Sequence, residues 1–171
     1  MEERWSLPFA PPRPGGRPAL TVIRPGLLVG PYPVAEDAAW LRGEHAVSAV
    51  VSLQDDADLA SKGLVLGDLT GAYAAAGIAF HRIPIPDGDE ASLAARLDDA
   101  LALLDALRRA GGRVYLHCNA GFNRAPTVAI AYLHVHEGLP LAAAAALVKR
   151  LRPCVPYLRL LESRFAERGR R

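Results

Sequence analysis

The chain has 171 residues, 51% of them apolar, 22% charged and 6% aromatic. That size and balance suit one globular domain and exclude a disordered chain, a collagen-like repeat or two ordinary domains. The net charge of +2 is uneven: residues 149–171 hold eight Lys or Arg against Glu162 and Glu167, a net +6, so residues 1–148 carry −4. A strongly basic nucleic-acid-binding domain is thereby excluded, and the basic C-terminal segment reads as a solvated helix face.

Two cysteines, Cys118 and Cys154, are too few for a disulfide framework and lack zinc-site spacing, which points to reduced thiols in a cytoplasmic protein. No secretory leader opens the chain, because its first six residues are charged and prolines follow. The longest apolar run, residues 139–148, is about half the ~20 residues of a membrane helix, so no membrane partner is expected.

Residues 1–19 read as a proline-rich flexible arm. Within it, residues 8–18 carry too much Pro and Gly for helix or ladder, and the domain is expected over residues 20–168. Short leucine and β-branched runs predict strands at 20–23, 27–29, 47–53, 78–83 and 113–117, the last three with the apolar content of buried strands. Helical stretches separate them at 34–42, 67–76 and 92–110. The last has Leu93, Leu97, Leu101, Leu104 and Leu107 at three- and four-residue spacing and is stopped by Gly111 and Gly112. From 118 on the pattern is helical, with helices expected at 126–137, 141–151 and from 156 to about 168. The fold class is α/β: a single central sheet flanked by helices, with a helical C-terminal half.

The informative segment is HCNAGFNRAP, His117 to Pro126, where an apolar strand runs into Cys118 and a helix begins soon after Arg124. Five residues separate that cysteine from that arginine. A loop of this length can curl so that successive N–H groups of Asn119, Ala120, Gly121, Phe122 and Asn123 converge, and the helix N-terminus adds its positive end. Such a nest binds an anion. The Arg124 guanidinium would grip a phosphate bidentately, and the same positive field favours the Cys118 thiolate, the useful nucleophile. Gly121 supplies a backbone free to take φ > 0 and to approach the ligand without a Cβ, and Asn123 tolerates similar angles.

A phosphomonoester needs its leaving oxygen protonated. The segment 83–90, IPIPDGDE, supplies Asp87, with prolines before it and Gly88 after it; Asp89 is the second candidate, with capping of the following helix as its competing role. His117 is expected to orient the loop through its ring. His134 and His136, two apart on one helix, diverge and cannot share a metal. No metal or other cofactor is called for.

These residues resemble the dual-specificity group of the protein tyrosine phosphatase superfamily, over about residues 20–165, including LLVGPYP (27–33) and VVSLQDDAD (50–58). In detail the loop is similar to the glucan phosphatases, which share Cys118, Ala120, Gly121, Phe122, Arg124, Ala125 and Pro126. Asn123 stands where that branch has Gly, as in the RNA 5′-triphosphatases of the superfamily. Ala125 stands where many relatives have a Ser or Thr that helps the thiolate leave.

The resemblance implies a cysteine-phosphatase fold and a phosphocysteine intermediate: Cys118 attacks phosphorus, Asp87 serves as acid and then base, and Arg124 with the loop N–H groups stabilises the oxygens. The implied substrate is a phosphorylated glucan or other carbohydrate. The alternative is a broad phosphoprotein phosphatase; an RNA 5′-triphosphatase or a catalytically dead phosphate-binding module stand behind it.

Overall fold

The computed structural model describes residues 16–166. Five strands form one sheet in the order β1-β2-β5-β3-β4: β1 (Thr21–Arg24), β2 (Leu27–Gly30), β3 (Ala49–Ser52), β4 (Ala79–Arg82) and β5 (Val114–His117). A hairpin joins β1 to β2; every other pairing is parallel. The helices are α1 (Ala38–His45), α2 (Asp56–Ser61), α3 (Leu66–Ala75), α4 (Glu90–Arg109), α5 (Arg124–His136), α6 (Leu141–Leu151) and α7 (Leu158–Ala166). This is the α/β class with a helical C-terminal half that the sequence predicts. The arm expected over residues 1–19 lies outside the described residues except for 16–19, as does the expected domain end at 168.

Strand alternation divides the core into two layers. Leu27, Val29, Ala49, Val51, Val114 and Leu116 face α4, α5 and α6, whereas Leu28, Val50 and Tyr115 face Leu41 of α1 and Leu69 and Tyr73 of α3. On α4 the predicted leucine stripe packs inward: Leu93, Leu97, Leu101 and Leu104 are buried and Leu107 lies partly buried against the same cluster.

Three expectations are corrected. The segment 78–83 is not a buried strand: β4 is the sheet edge, with Ala79 exposed and the next three residues half-buried, and burial returns only at the flanking Ile78 and Ile83. β2 is buried throughout, as β3 and β5 are, because the hairpin covers it on one side and β5 on the other. Helix α2 was not foreseen. It starts by a reciprocal cap, the Asp55 carboxylate accepting from the Asp58 N–H at 2.8 Å while the Asp58 carboxylate accepts from the Asp55 N–H at 3.0 Å.

Because β2, β3, β4 and β5 run parallel, their C-terminal ends share one rim. The loops that leave it begin at Gly30, Ser52, Arg82 and His117. In an open α/β sheet this rim is where ligands bind.

Candidate active site

The loop from Cys118 to Asn123 follows β5 and feeds α5, which begins at Arg124 rather than at Pro126. Its shape follows from where its carbonyls go. The Cys118 carbonyl lies 2.9 Å from Nδ1 of His117, and the Asn119 carbonyl accepts from the Tyr32 N–H at 2.9 Å. The Ala120 and Gly121 carbonyls accept from Arg152 Nη2 and Nε at 3.1 and 2.7 Å, and the Phe122 carbonyl accepts from the Val155 N–H at 2.9 Å. In a trans peptide the N–H of the next residue points opposite to its carbonyl. The N–H groups of Asn119, Ala120, Gly121, Phe122 and Asn123 therefore point away from these partners, toward the concave side of the loop.

Gly121 is the hinge of the curl, with φ +64. The close approach it permits is to the protein rather than to a ligand: a Cβ there would stand 2.5 Å from the carbonyl carbon of Gly30 and 2.7 Å from Arg152 Nη2. Asn123, expected to share the left-handed tolerance, has φ −116, and its amide donates to the Val155 carbonyl at 2.7 Å. The Asn119 side chain turns to the back of the site, accepting from Gln54 Nε2 at 2.8 Å and donating to Asp58 Oδ1 at 2.7 Å.

Arg124 closes the loop. Its Nη1 donates to Asp58 Oδ2 at 2.6 Å and to the Ile85 carbonyl at 2.7 Å, and the group is almost fully buried. That edge is anchored, whereas Nε is buried with no hydrogen-bond partner and lies 3.4 Å from Asp87 Oδ1. An oxyanion seated on the loop would satisfy it. Burial works against the charge on Asp58. Even so, the Arg124 hydrogen bond, the Asp55 N–H, the Arg124 charge and the Asn119 amide outweigh it and hold the carboxyl below its usual range.

Asp87, on the loop after β4, is half exposed and faces Arg124. Asp89 is committed elsewhere: it caps α4, accepting from Ser92 N–H at 2.9 Å and Ser92 Oγ at 2.7 Å. His117 is buried, and its pKa is lowered to about 4, chiefly by desolvation. Since a carbonyl can only accept, the neutral ring carries its proton on Nδ1 and donates to the Cys118 carbonyl. Phe122 is only partly open, packed against the core. His134 and His136 find separate partners, the Leu139 carbonyl and Asp105.

Besides Arg152, two side chains that the sequence reasoning passed over bear on the site. Asp58 anchors Arg124 and Asn119 together; its signal was the Asp-x-x-Asp spacing from Asp55, which marks a helix start. Tyr157 lies within electrostatic reach of Asp87, Arg124 and Cys118, its phenol pushed up by burial first and then by the charges of Asp87 and Glu90.

A parallel rim carrying one cysteine, an arginine-closed loop of converging N–H groups and an aspartate over it is the plan of a cysteine phosphatase. Residues 39–160 match the dual specificity phosphatase catalytic domain, and the chain belongs to that family. It is 36% identical over 151 residues to the amyloplastic phosphoglucan phosphatase DSP4 of Castanea sativa, covering 85% of this chain and 39% of that protein. It is 40% identical over 79 residues to dual specificity phosphatase 28 of Homo sapiens, covering 46% of this chain and 45% of that one. The chain thus spans less than half the length of either relative. Among solved structures it resembles the active form of Tk-PTP, with a TM-score of 0.73 and 26% identity over 90% of this chain and 99% of that one. No helix among the described residues is long and apolar enough to cross a membrane.

Proposed function

We propose that the chain is a cysteine-dependent phosphomonoesterase whose substrate is a phosphorylated glucan or related carbohydrate. The observation that carries the chemistry is the loop itself: every carbonyl from Cys118 to Phe122 is occupied from behind, and the buried Nε of Arg124 is left over on the inner side beside Asp87. Nothing in packing requires a cation and converging N–H groups around one thiol; an oxyanion does.

In the reaction the Cys118 thiolate attacks phosphorus and the P–O bond to the substrate breaks as the Asp87 carboxylic acid gives its proton to the departing oxygen. The Asp87 carboxylate then takes a proton from water, the water oxygen bonds to phosphorus, and the S–P bond breaks to return the thiolate. Arg124 and the loop N–H groups hold the three equatorial oxygens through both steps. Ala125 offers no hydroxyl to the departing thiolate, and the Thr127 hydroxyl donates to the Asn123 carbonyl at 2.6 Å. Breakdown of the phosphocysteine is therefore slowed compared with a relative that has a hydroxyl at that position.

The carbohydrate reading rests on the similarity to DSP4, which runs along 85% of the chain. The phosphoprotein reading is favoured by one observation, the partial burial of Phe122, which reduces the aromatic surface on which a sugar could stack. Initial rates of phosphate release from phosphorylated amylopectin, a phosphotyrosyl peptide and an aryl phosphate, with Cys118→Ser as blank, separate the two. A glucan rate well above the peptide rate supports the carbohydrate reading; negligible glucan turnover with good peptide turnover overturns it.

A further inference from the structure

Among the described basic residues of the C-terminal segment, read from the sequence as a solvated face, Arg152 is the buried one: it is only 2% exposed and lies behind the loop. It leaves the end of α6 and spreads its guanidinium over two parts of the chain. Nε and Nη2 donate to the Gly121 and Ala120 carbonyls, and Nη1 donates to the Ala19 carbonyl at 2.7 Å and to Thr21 Oγ1 at 3.1 Å. Residues 19 and 21 precede or open β1, more than 130 positions away in sequence. A planar fork with several fixed donors can satisfy two adjacent carbonyls in one set geometry, which an ammonium with rotatable donors on a flexible stem does not pre-organise.

We infer that Arg152 is a positioning residue for phosphate: it fixes the 120–121 and 121–122 peptide planes with their N–H groups toward the anion, and it is itself held in place by Ala19 and Thr21. The Ala120 and Gly121 carbonyls have the same partner, so without that fork these two planes lose the hydrogen bonds that set their direction. A carbonyl turned inward would replace an N–H donor with an acceptor facing the oxyanion. Gly121, with φ > 0 and no Cβ, is the residue about which the planes would turn most easily. The segment that follows completes the brace, since the Val155 N–H holds the Phe122 carbonyl and the Val155 carbonyl holds the Asn123 amide.

This inference rests on the phosphatase reading. Its test uses inorganic tungstate, an unreactive tetrahedral oxyanion, titrated into the full chain and followed by the shift in melting temperature, alongside kcat and KM for an aryl phosphate. Arg152→Lys keeps the charge and loses the fork; Arg152→Gln keeps a planar donor and loses the charge. Both are expected to bind tungstate about tenfold more weakly or worse, the scale of one or two charged hydrogen bonds, and to lose kcat, with Lys recovering little.

A merely structural role would lower the melting temperature without changing the tungstate affinity of the folded protein, and that result overturns the inference. Thr21→Val removes one anchor from outside the loop and keeps the test open if the Arg152 variants do not fold. It must weaken tungstate binding by about two- to threefold, less than the full worth of a charged hydrogen bond because Arg152 keeps its second anchor at the Ala19 carbonyl, and unchanged affinity contradicts the inference. If the parent itself binds no tungstate, the phosphatase reading fails instead.

Discussion

Replacing Asp58 by asparagine probes the anchor of the site while preserving shape. The Asp58 carboxylate accepts from three donors: Arg124 Nη1 at 2.6 Å and the Asp55 N–H at 3.0 Å on one oxygen, and Asn119 Nδ2 at 2.7 Å on the other. An asparagine has one acceptor oxygen, so either orientation sets its NH2 against a donor. It also leaves Arg124, almost fully buried, without the carboxylate that balances it. Breaking a buried pair from one side costs about 3–5 kcal/mol. Because Arg124 keeps the Ile85 carbonyl at 2.7 Å, the lower end applies, about 3 kcal/mol.

Catalysis suffers separately, because the Nε edge of Arg124 is aimed by the hold on Nη1. Losing one charged hydrogen bond, about 1.5–3 kcal/mol, lowers kcat/KM by roughly ten- to a hundredfold. Urea unfolding measures the first effect, and initial rates on an aryl phosphate, corrected for folded fraction, measure the second. A variant within twofold of the parent in kcat/KM and within about 0.5 kcal/mol in stability, the usual scatter of a neutral surface change, would refute the reasoning.

Gly121→Ala must place a Cβ 2.5 Å from the Gly30 carbonyl carbon at φ +64, so reaching ordinary carbon–carbon contact moves the loop by about 1 Å. kcat/KM on the aryl phosphate should fall by on the order of a hundredfold, as expected for a misplacement of that kind; full activity would mean that the loop is not tightly seated. Asp87→Asn should lower kcat by about 10²–10⁴-fold for poor leaving groups and much less for a nitrophenolate. Asp89→Ala should reduce the melting temperature through the lost α4 cap and leave kcat unchanged; the reverse ranking would move the acid to Asp89. His117 has a folded pKa of about 4 against about 6.5 when unfolded, so below pH 6.5 the unfolded chain takes up the proton first and stability falls as pH drops toward 4. The contribution is roughly 3 kcal/mol across that window. His117→Gln should flatten the urea-midpoint profile between pH 6.5 and 4, and a profile as steep as the parent's would contradict the burial argument.

The sequence carried what is local. The leucine spacing of α4, the strand into Cys118 and the cysteine-to-arginine interval all depend on neighbours a few residues apart, and the fold realises them within a residue or two. What it did not carry depends on distant contacts. Asp58 meets Arg124 across 66 positions, and Arg152 meets the loop across 31 and β1 across more than 130. Nothing in the local composition separates Arg152 from its solvated neighbours Lys149 and Arg150. The edge position of β4 was likewise set by the order in which strands pair, which its mixed sequence does not encode. Gly121 was foreseen for the right conformation and the wrong neighbour: its Cβ is excluded by Gly30 and Arg152.

In the proposed reaction Cys118 carries the phosphoryl group. Acid quenching of the protein during turnover of an aryl phosphate, followed by peptide mass spectrometry, tests it most directly. One phosphoryl group is expected on the peptide containing Cys118, its accumulation favoured by slow breakdown beside Ala125, and no such species in Cys118→Ser, which also releases no phosphate. Phosphate release by Cys118→Ser at the parent's rate, or a phosphoryl group trapped on any other residue, would contradict it.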